Sequence, residues 1–534
     1  MKSIEQLRIP YQKDPDLKKN LSSHLGIPEK KIQHIRVKKR SLDARNQKKL
    51  FWVYTLEVYF EGEKITEDFP EFPQKKWKGP PPLIIGAGPA GLFAALTFLK
   101  HGIRPILFER GARTHERMLK ISRYWRHGEL DEDSNVCNGE GGAGTFSDGK
   151  LITRIKSPLI SFVMKSFVSY GAPPEITYVY NPHVGSNRIR DVIRAMSDDL
   201  ILQGADLRFK TRVAELEIRQ NQVQGLVLSN GEKIEGTGVL LACGHSAGKF
   251  FENLNSQGVH IEAKDFALGL RIEHPQSYIN QWQYGPSTHC ARSGQAPSTS
   301  SGQVPLLEEL EPAQYKLQSY WEKEHTGVYS FCMCPGGYVI SSTTDPKTIV
   351  VNGMSNFHRN SPWANAAIVC SVSKDRVPGN DPFRLMQFQR GIESKVYEAS
   401  AVRGESRRIP AQHLKDFLEN KEGKIHTKSS CPSGVVPANL ADLLPSWICD
   451  YLSRGFSDFE KRRKGFFHPE ALLHAVESRT SSPIRITRHL ETRESVSTAG
   501  LFPCGEGPGY AGGITSAAVD GIEAALAWIH KFCS

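Results

Sequence analysis

The 534-residue chain is short of several things that would have pointed elsewhere. Its ten cysteines are scattered and contain no CxxC pair. They read as reduced thiols of a cytoplasmic protein rather than a disulfide framework. No His/Cys cluster has metal-ligand spacing, so no structural metal is expected. Residues 2–15 mix Lys2, Glu5, Arg8, Lys13 and Asp14, which leaves no signal-peptide apolar region. The longest uncharged apolar run, Pro80–Leu99, is interrupted by a glycine-rich turn, which argues against a membrane span there. No internal repeat is visible. A hydrophobic fraction of 39% and a charged fraction of 23% describe an ordinary globular composition, and the length predicts two or three domains.

Glycine is what the chain has, and its placement is informative. In Leu83–Ala95, LIIGAGPAGLFAA, an apolar strand runs into Gly86, Gly88 and Gly91, with Pro89 and Ala90 opening a helix. Gly86 allows the tight turn, Gly88 lets backbone approach a pyrophosphate, and Gly91 lets helix pack on strand. A second apolar run, RPILFE, ends in Glu109, 21 residues beyond Gly88, where a carboxylate accepts hydrogen bonds from a ribose; Arg110 follows it. Far downstream, Leu501–Ala518, LFPCGEGPGYAGGITSAA, repeats the logic. Thr498–Glu506 reads as a strand ending at Gly505 and Glu506, an acid placed for ribityl hydroxyls. Gly513 and Ile514 then open a helix whose N-terminal amides suit the pyrimidine of a flavin. A nicotinamide dehydrogenase needs no such second junction, whereas a long dinucleotide such as FAD does. FAD is therefore the expected cofactor.

Between these ends, Asn135–Leu151 (NVCNGEGGAGTFSDGKL) is too glycine-rich for regular structure. Gly141, Gly142 and Ala143 let amides crowd a phosphate or a flavin edge, and Asp148 and Lys150 are candidate contacts. Arg188–Gln203 reads as a helix and Ala205–Val213 as a strand whose end, Val213, lies beside an adenine. Leu216–Leu228 and Glu232–Ala242 read as two strands about Asn230-Gly231. The second ends at Cys243-Gly244, with Gly244 near the dinucleotide; His245, next in line, reads first as an ordinary loop histidine. From Phe266 to about Pro469 the dinucleotide pattern stops. Short runs such as Gly337–Ser342 and Thr348–Asn352 suggest a β-rich cap, and Ser293–Pro305 suits either a lid or a surface loop.

The first 79 residues predict strand (Ile4–Ile9), helix (Pro15–Leu25), strand (Ile32–Lys39) and strand (Leu50–Phe60), ahead of a stiff Gly79-Pro80-Pro81-Pro82 boundary. They carry 18 lysines and arginines against 11 aspartates and glutamates, so most of the chain's formal +11 sits there. A nucleic-acid face is one reading, and a solvated accessory surface is the stronger one.

The segments GPAGLFAAL, ERG, NGEGGAGTFSDGKL, ACGHSAG, GLRIEHPQ, FCMCPGG, ESRTSSPIR and GEGPGYAGGITSAAVDG together resemble the FAD-dependent dehydrogenases, within the two-dinucleotide-motif flavoproteins related to glutathione reductase. The likeness spans nearly the whole chain, KKRSLDAR included. It implies FAD held through Gly86, Gly88, Gly91, Glu109, Gly142, Gly505 and Glu506, and oxidoreductase chemistry without a settled substrate. Cys137-Asn138 departs from an expected Gln-Phe, and Ser186-Asn187 from Thr-Asp. The expected architecture is α/β, a glutathione-reductase-like Rossmann FAD domain with an inserted β-rich cap and a small N-terminal α+β domain. Its boundaries fall at 1–79, 80–265, 266–469 and 470–534.

Protein groups for chemistry are sought in the later blocks. Cys332 and Cys334 flank Met333 in a turn that suits a redox relay or one activated thiolate, although a CxC spacing suits a disulfide poorly. His274, after Glu273, suits proton transfer, and Arg479 suits a carboxylate. The expected partner is a small-molecule substrate, with NAD(P)H as an optional electron donor and no membrane. The alternative is a flavin-carrying RNA-binding or RNA-modifying protein acting through its basic N-terminal domain.

Overall fold

The computed structural model describes residues 1–12, 14–46, 49–65, 70–285 and 310–533; the Ser293–Pro305 segment lies outside them. The N-terminal unit follows its periodicity closely. Strands Lys2–Pro10, Ile32–Asp43 and Phe51–Phe60 form an antiparallel sheet with the last in the middle. The helix Leu17–Leu25 covers it, capped by the Asp16 carboxylate on the Lys19 N–H and ended by Gly26 in the left-handed region (φ 66°). Part of the basic charge is matched locally. Arg8 and Arg45 meet Asp43 at 3.1 and 2.8 Å, while Arg36 and Lys38 meet Glu57 at 3.1 and 3.3 Å. The unit touches the body through reciprocal backbone bonds, Arg40 to Tyr178 and Tyr180 to Arg40, both 2.8 Å.

A five-stranded parallel sheet forms the body, in the order Leu501–Pro503, Val239–Leu241, Leu83–Ile85, Ile106–Phe108, Asp206–Arg208. Its four inner and leading strands are short and apolar because they are covered, while the edge strand Asp206–Arg208 is polar and partly exposed. The two glycine-rich segments, more than four hundred residues apart in sequence, thus lie one strand apart. Helices Pro89–Lys100 and Ile514–Phe532 pack on the same side of this sheet. They approach closely because an added Cβ at Gly521 would stand 2.0 Å from the Ala90 carbonyl oxygen. Leu216–Leu228, expected as one strand, is instead the hairpin Val213–Arg219 and Gln222–Leu228. Its turn residues Gln220 and Asn221 both take positive φ (49° and 57°), so the turn forms without the glycine that would have announced it. Ala205–Val213 is likewise interrupted: the parallel strand covers only Asp206–Arg208, and Val213 opens the hairpin.

The cap is a seven-stranded sheet with Phe266–Pro275 near its centre, between Trp363–Val372 and Leu472–Glu477. The last strand carries the sheet beyond residue 469, where the sequence pattern had placed its end. Helices Arg384–Ala401 and Ser446–Arg462 pack against it in the largest apolar core among the described residues. Gly337–Ser341 and Val351–Ser355 pair as a separate ribbon.

Gly521→Ala tests the helix contact. Better helix propensity is worth about 1 kcal/mol, but a methyl forced against backbone costs typically 1–3 kcal/mol or more, so overpacking wins. The variant should melt lower than the parent by calorimetry; an unchanged melting temperature would contradict the packing described.

Candidate active site

The carboxyl ends of four adjacent parallel strands empty into one cavity of about 730 Å³. Ile85 leads to Gly86, Phe108 to Glu109, Leu241 to Cys243–Ala247, and Pro503 to Glu506, so strand ends and the cap together form its walls. Ligands of open α/β sheets bind at this edge. Gly88 caps the first helix with Pro89 at its first position, and Gly513 caps the last. Both glycines line the cavity, as do Ala90, Gly142, Ala143 and Ile514. At the far end stand Arg110 and Val213, near the hairpin, and at the other Asp148, Lys150, Cys332 and Cys334, under the cap.

Glu109 is buried, and its carboxylate is already engaged by backbone. It accepts from Ala87 at 3.0 Å, Gly111 at 2.8 Å and Gly139 at 3.0 Å. Gly91 and Gly141 do not line the cavity but shape it. A Cβ on Gly91 would stand 1.9 Å from the Gly86 oxygen, and the Gly141 N–H donates to Ala87 at 2.8 Å. Gly505, with φ 83°, donates its N–H to Asp520 at 2.8 Å and so fixes the strand end that presents Glu506. Asp520 is anchored in turn by Arg488 at 2.6 Å and Arg493 at 2.7 Å. Nothing in the local sequence marked it.

The glycine-rich loop is held by a residue the motif reading missed. Arg117, wholly buried on the helix Thr114–His127, donates to the carbonyls of Asn135, Val136, Glu140 and Gly142 at 2.7–2.8 Å. Burial pulls its guanidinium down to about 10, with Glu109 acting against that. Asp148 meets Arg359 at 2.8 Å and Lys150 at 3.6 Å, and these cations hold its carboxyl low against the effect of burial. The Lys150 ammonium also donates to the Met333 carbonyl, tying the loop to the cap. Ser186 and Asn187 do a similar job, bonding Asn356 and the Phe357 N–H at 3.2 and 2.8 Å.

The expected reactive groups are sorted by position. Cys332 sits on a β-bulge with φ 41° and faces the cavity's open space; burial among surrounding protein still pushes its thiol up. Cys334 is buried, donates to the Cys332 carbonyl at 3.3 Å, and is pushed up to about 12 by burial. These are neutral, unpaired thiols. Arg479 reaches the cavity, but its guanidinium is spent on Glu393 at 3.1 and 3.0 Å, Thr344 at 2.6 Å and Ser246 at 3.2 Å. Its charge is a fixture of the wall rather than a free clamp.

The structure does not bring His274 to the cavity. It is buried in the cap sheet, its Nε2 lies 3.1 Å from the Phe466 carbonyl, and burial lowers it to about 4. Strand alternation puts one of a consecutive pair on each face, and in a two-sided cap both faces are core. Neighbouring Glu273, also buried, accepts from the Ser430 N–H at 3.2 Å, and burial raises it to about 7. Conversely His245, read first as a loop histidine, lines the cavity between Cys137 and Glu506.

The whole chain is similar to an uncharacterized protein of Clostridium beijerinckii, with 35% identity over 97% of this chain and 96% of that one. Residues 265–480 match a model described as FAD-dependent protein, C-terminal domain-like, and residues 1–59 match a domain of unknown function. The chain belongs to this family of FAD-dependent proteins, and FAD is its cofactor. Among solved structures it is loosely similar to CtdE in complex with FAD (13% identity, 84% of each chain, TM-score 0.32). The flavin-dependent brominase Bmp2 is another such likeness (11% identity, 85% of this chain and 79% of that one, TM-score 0.38). Likenesses that loose transfer no reaction.

The cavity fits the cofactor. A Cβ built on Gly244 or Gly512 meets nothing within 4 Å, and one on Gly88 meets only the Gly142 Cα at 4.0 Å. Those backbones border open space, as close approach of a dinucleotide requires.

Glu273 gives the cap a pH signature. Its folded value of about 7 exceeds the ordinary 4.5, so the folded protein holds the extra proton between those values. Stability then falls as pH rises through that window. Glu273→Gln should remove the slope, gaining on the order of 2–3 kcal/mol relative to the parent between pH 5 and 8. Denaturant melts at both pH values check this, and parallel profiles for the two proteins would contradict it.

Proposed function

We propose that the chain is a FAD-dependent oxidoreductase of a small-molecule substrate, on a glutathione-reductase-like arrangement, taking electrons from a reduced nicotinamide. The observation that carries the reading is the single cavity that runs from Glu109 and Val213, past the two helix N-termini, to Lys150 and Cys332 under the cap. Bound FAD supplies the hydride or electron transfer. The N–H groups of Gly88, Ala90 and Ala143 bind the pyrophosphate, aided by the dipole of the Pro89–Lys100 helix. Glu109 takes the adenosine ribose with the lone pairs its backbone bonds leave, and Arg110 and Val213 border the adenine. Glu506 orients the ribityl hydroxyls, and Gly513 and Ile514 present amides to the flavin pyrimidine. Lys150, whose ammonium is turned toward Asp148 and Met333, places positive charge beside the ring. The cap, through Cys332 and the wall of Arg479 and Glu393, excludes water and bounds the substrate space.

The experiment is anaerobic addition of NADH and then NADPH to the purified yellow protein. One of them should bleach the flavin band. Gly88→Val, whose Cβ meets only the Gly142 Cα at 4.0 Å, should fold and stay colourless. A flavin bleached by dithionite but by neither nicotinamide would overturn the nicotinamide arm, and a normally loaded Gly88→Val would overturn the placement of the pyrophosphate.

A further inference from the structure

Three side chains from three separate segments meet at one wall of the cavity. Cys137 belongs to the glycine-rich loop, His245 follows the strand Val239–Leu241, and Glu506 follows Leu501–Pro503. His245 Nε2 stands 3.9 Å from Cys137 Sγ, and its Nδ1 stands 3.2 Å from Glu506 Oε1. This is the order of a nucleophile, its base and the group that orients the base. Cys137 is a free, half-buried thiol. Its backbone is fixed: the Cys137 N–H donates to Asn135 Oδ1 at 3.0 Å, and Arg117 grips the adjoining Val136 carbonyl at 2.8 Å. The sulfur is therefore positioned by a loop that cannot easily relax away from the imidazole.

The charges around the sulfur agree with the geometry. His245, Arg479 and the Ser246 hydroxyl act on it, with Glu506 behind the imidazole. Burial raises the Cys137 thiol, yet the His245 hydrogen bond and charge, with Arg479, outweigh it and lower the thiol below its ordinary value. Burial lowers His245, yet Glu506 and then Cys137 raise it to about 10. The Ser342 carbonyl, 3.6 Å from the sulfur, competes only for the proton of the neutral thiol.

We propose that Cys137, His245 and Glu506 form a nucleophilic site within the cavity, holding a Cys137 thiolate against a protonated His245, for a small-molecule disulfide. The substrate class follows from the surroundings. Attack on an acyl carbon develops an oxyanion that needs amide donors, whereas the polar backbone group beside this sulfur is a carbonyl. Attack on sulfur places the new charge on a departing thiolate, which the imidazolium can protonate. In the step, Cys137 Sγ bonds to one sulfur of R–S–S–R and the substrate S–S bond breaks. The departing RS⁻ takes the proton from His245 Nε2, which becomes neutral. Cys137 is oxidised to the mixed disulfide as the released half is reduced to RSH, so no outside electron carrier is required. The site rests on the cavity's geometry and stands whether or not reduced flavin later regenerates the thiol.

The test uses the purified full-length protein with its flavin, alkylated with iodoacetamide over a range of pH and mapped by mass spectrometry. The Cys137 rate should stay nearly flat from pH 8 to pH 6. In His245→Gln it should fall about tenfold per pH unit below an ordinary thiol value. An aromatic disulfide that releases a coloured thiolate should yield one equivalent from the parent and none from Cys137→Ser at pH 6. The ultraviolet thiolate band, as the difference between parent and Cys137→Ser at pH 6, gives a reading that does not depend on the histidine variant. An ordinary pH profile for Cys137, no modification of it, or no thiolate difference band would overturn the proposal. The flavin band, read on the same samples, separates this outcome from failure of the oxidoreductase reading: a colourless protein with a reactive Cys137 would sink only the latter.

Discussion

Two buried side chains of opposite charge, Glu109 and Arg117, fix the backbone on which the cavity depends. The carboxylate gathers three amides, from Ala87, Gly111 and Gly139. The guanidinium gathers four carbonyls, from Asn135, Val136, Glu140 and Gly142. A loop rich in glycine has no ladder to satisfy its polar groups, and each one buried without a partner costs about 1–3 kcal/mol. Seven such groups are satisfied by two side chains. Glycine supplies the close approach, and the two charges keep that approach from collapsing.

The same device recurs inside the cap and where the cap meets the body. Arg271, wholly buried, meets Glu477 at 2.8 and 3.1 Å and Asn365 at 2.7 Å, directly behind the cavity wall. Arg479 meets Glu393, and Arg359 meets Asp148. Buried ion pairs are poor sources of net stability, because desolvation offsets their attraction. Their geometry is nevertheless demanding, and here each links segments remote in sequence. The Arg359–Asp148 pair, with the Arg479 bond to Ser246, sets where the cap sits over the strand ends, which is what an enclosed flavin site needs.

The parts legible in the sequence were those with short-range causes. The strand–glycine–helix at Leu83–Lys100, the acid at Glu109, the closing helix near Gly513 and the N-terminal sheet all follow from local periodicity and turn chemistry. The hairpin at Gln220-Asn221 was hidden because its turn uses no glycine. His274 was misplaced because alternation along a strand does not say that both faces of the cap sheet are covered. Cys137, His245 and Glu506 were seen singly, and the separation of 108 positions between the first two left no periodic signal of their meeting. Arg117 and Asp520 were invisible for the same reason: they act on backbone that only the fold brings to them.

The most direct measurement is of the flavin itself. Protein purified without added cofactor, then denatured, should release one FAD per chain, identified by chromatography and mass. Release of FMN, or no flavin together with no uptake of added FAD by the folded protein, would contradict the account at its centre.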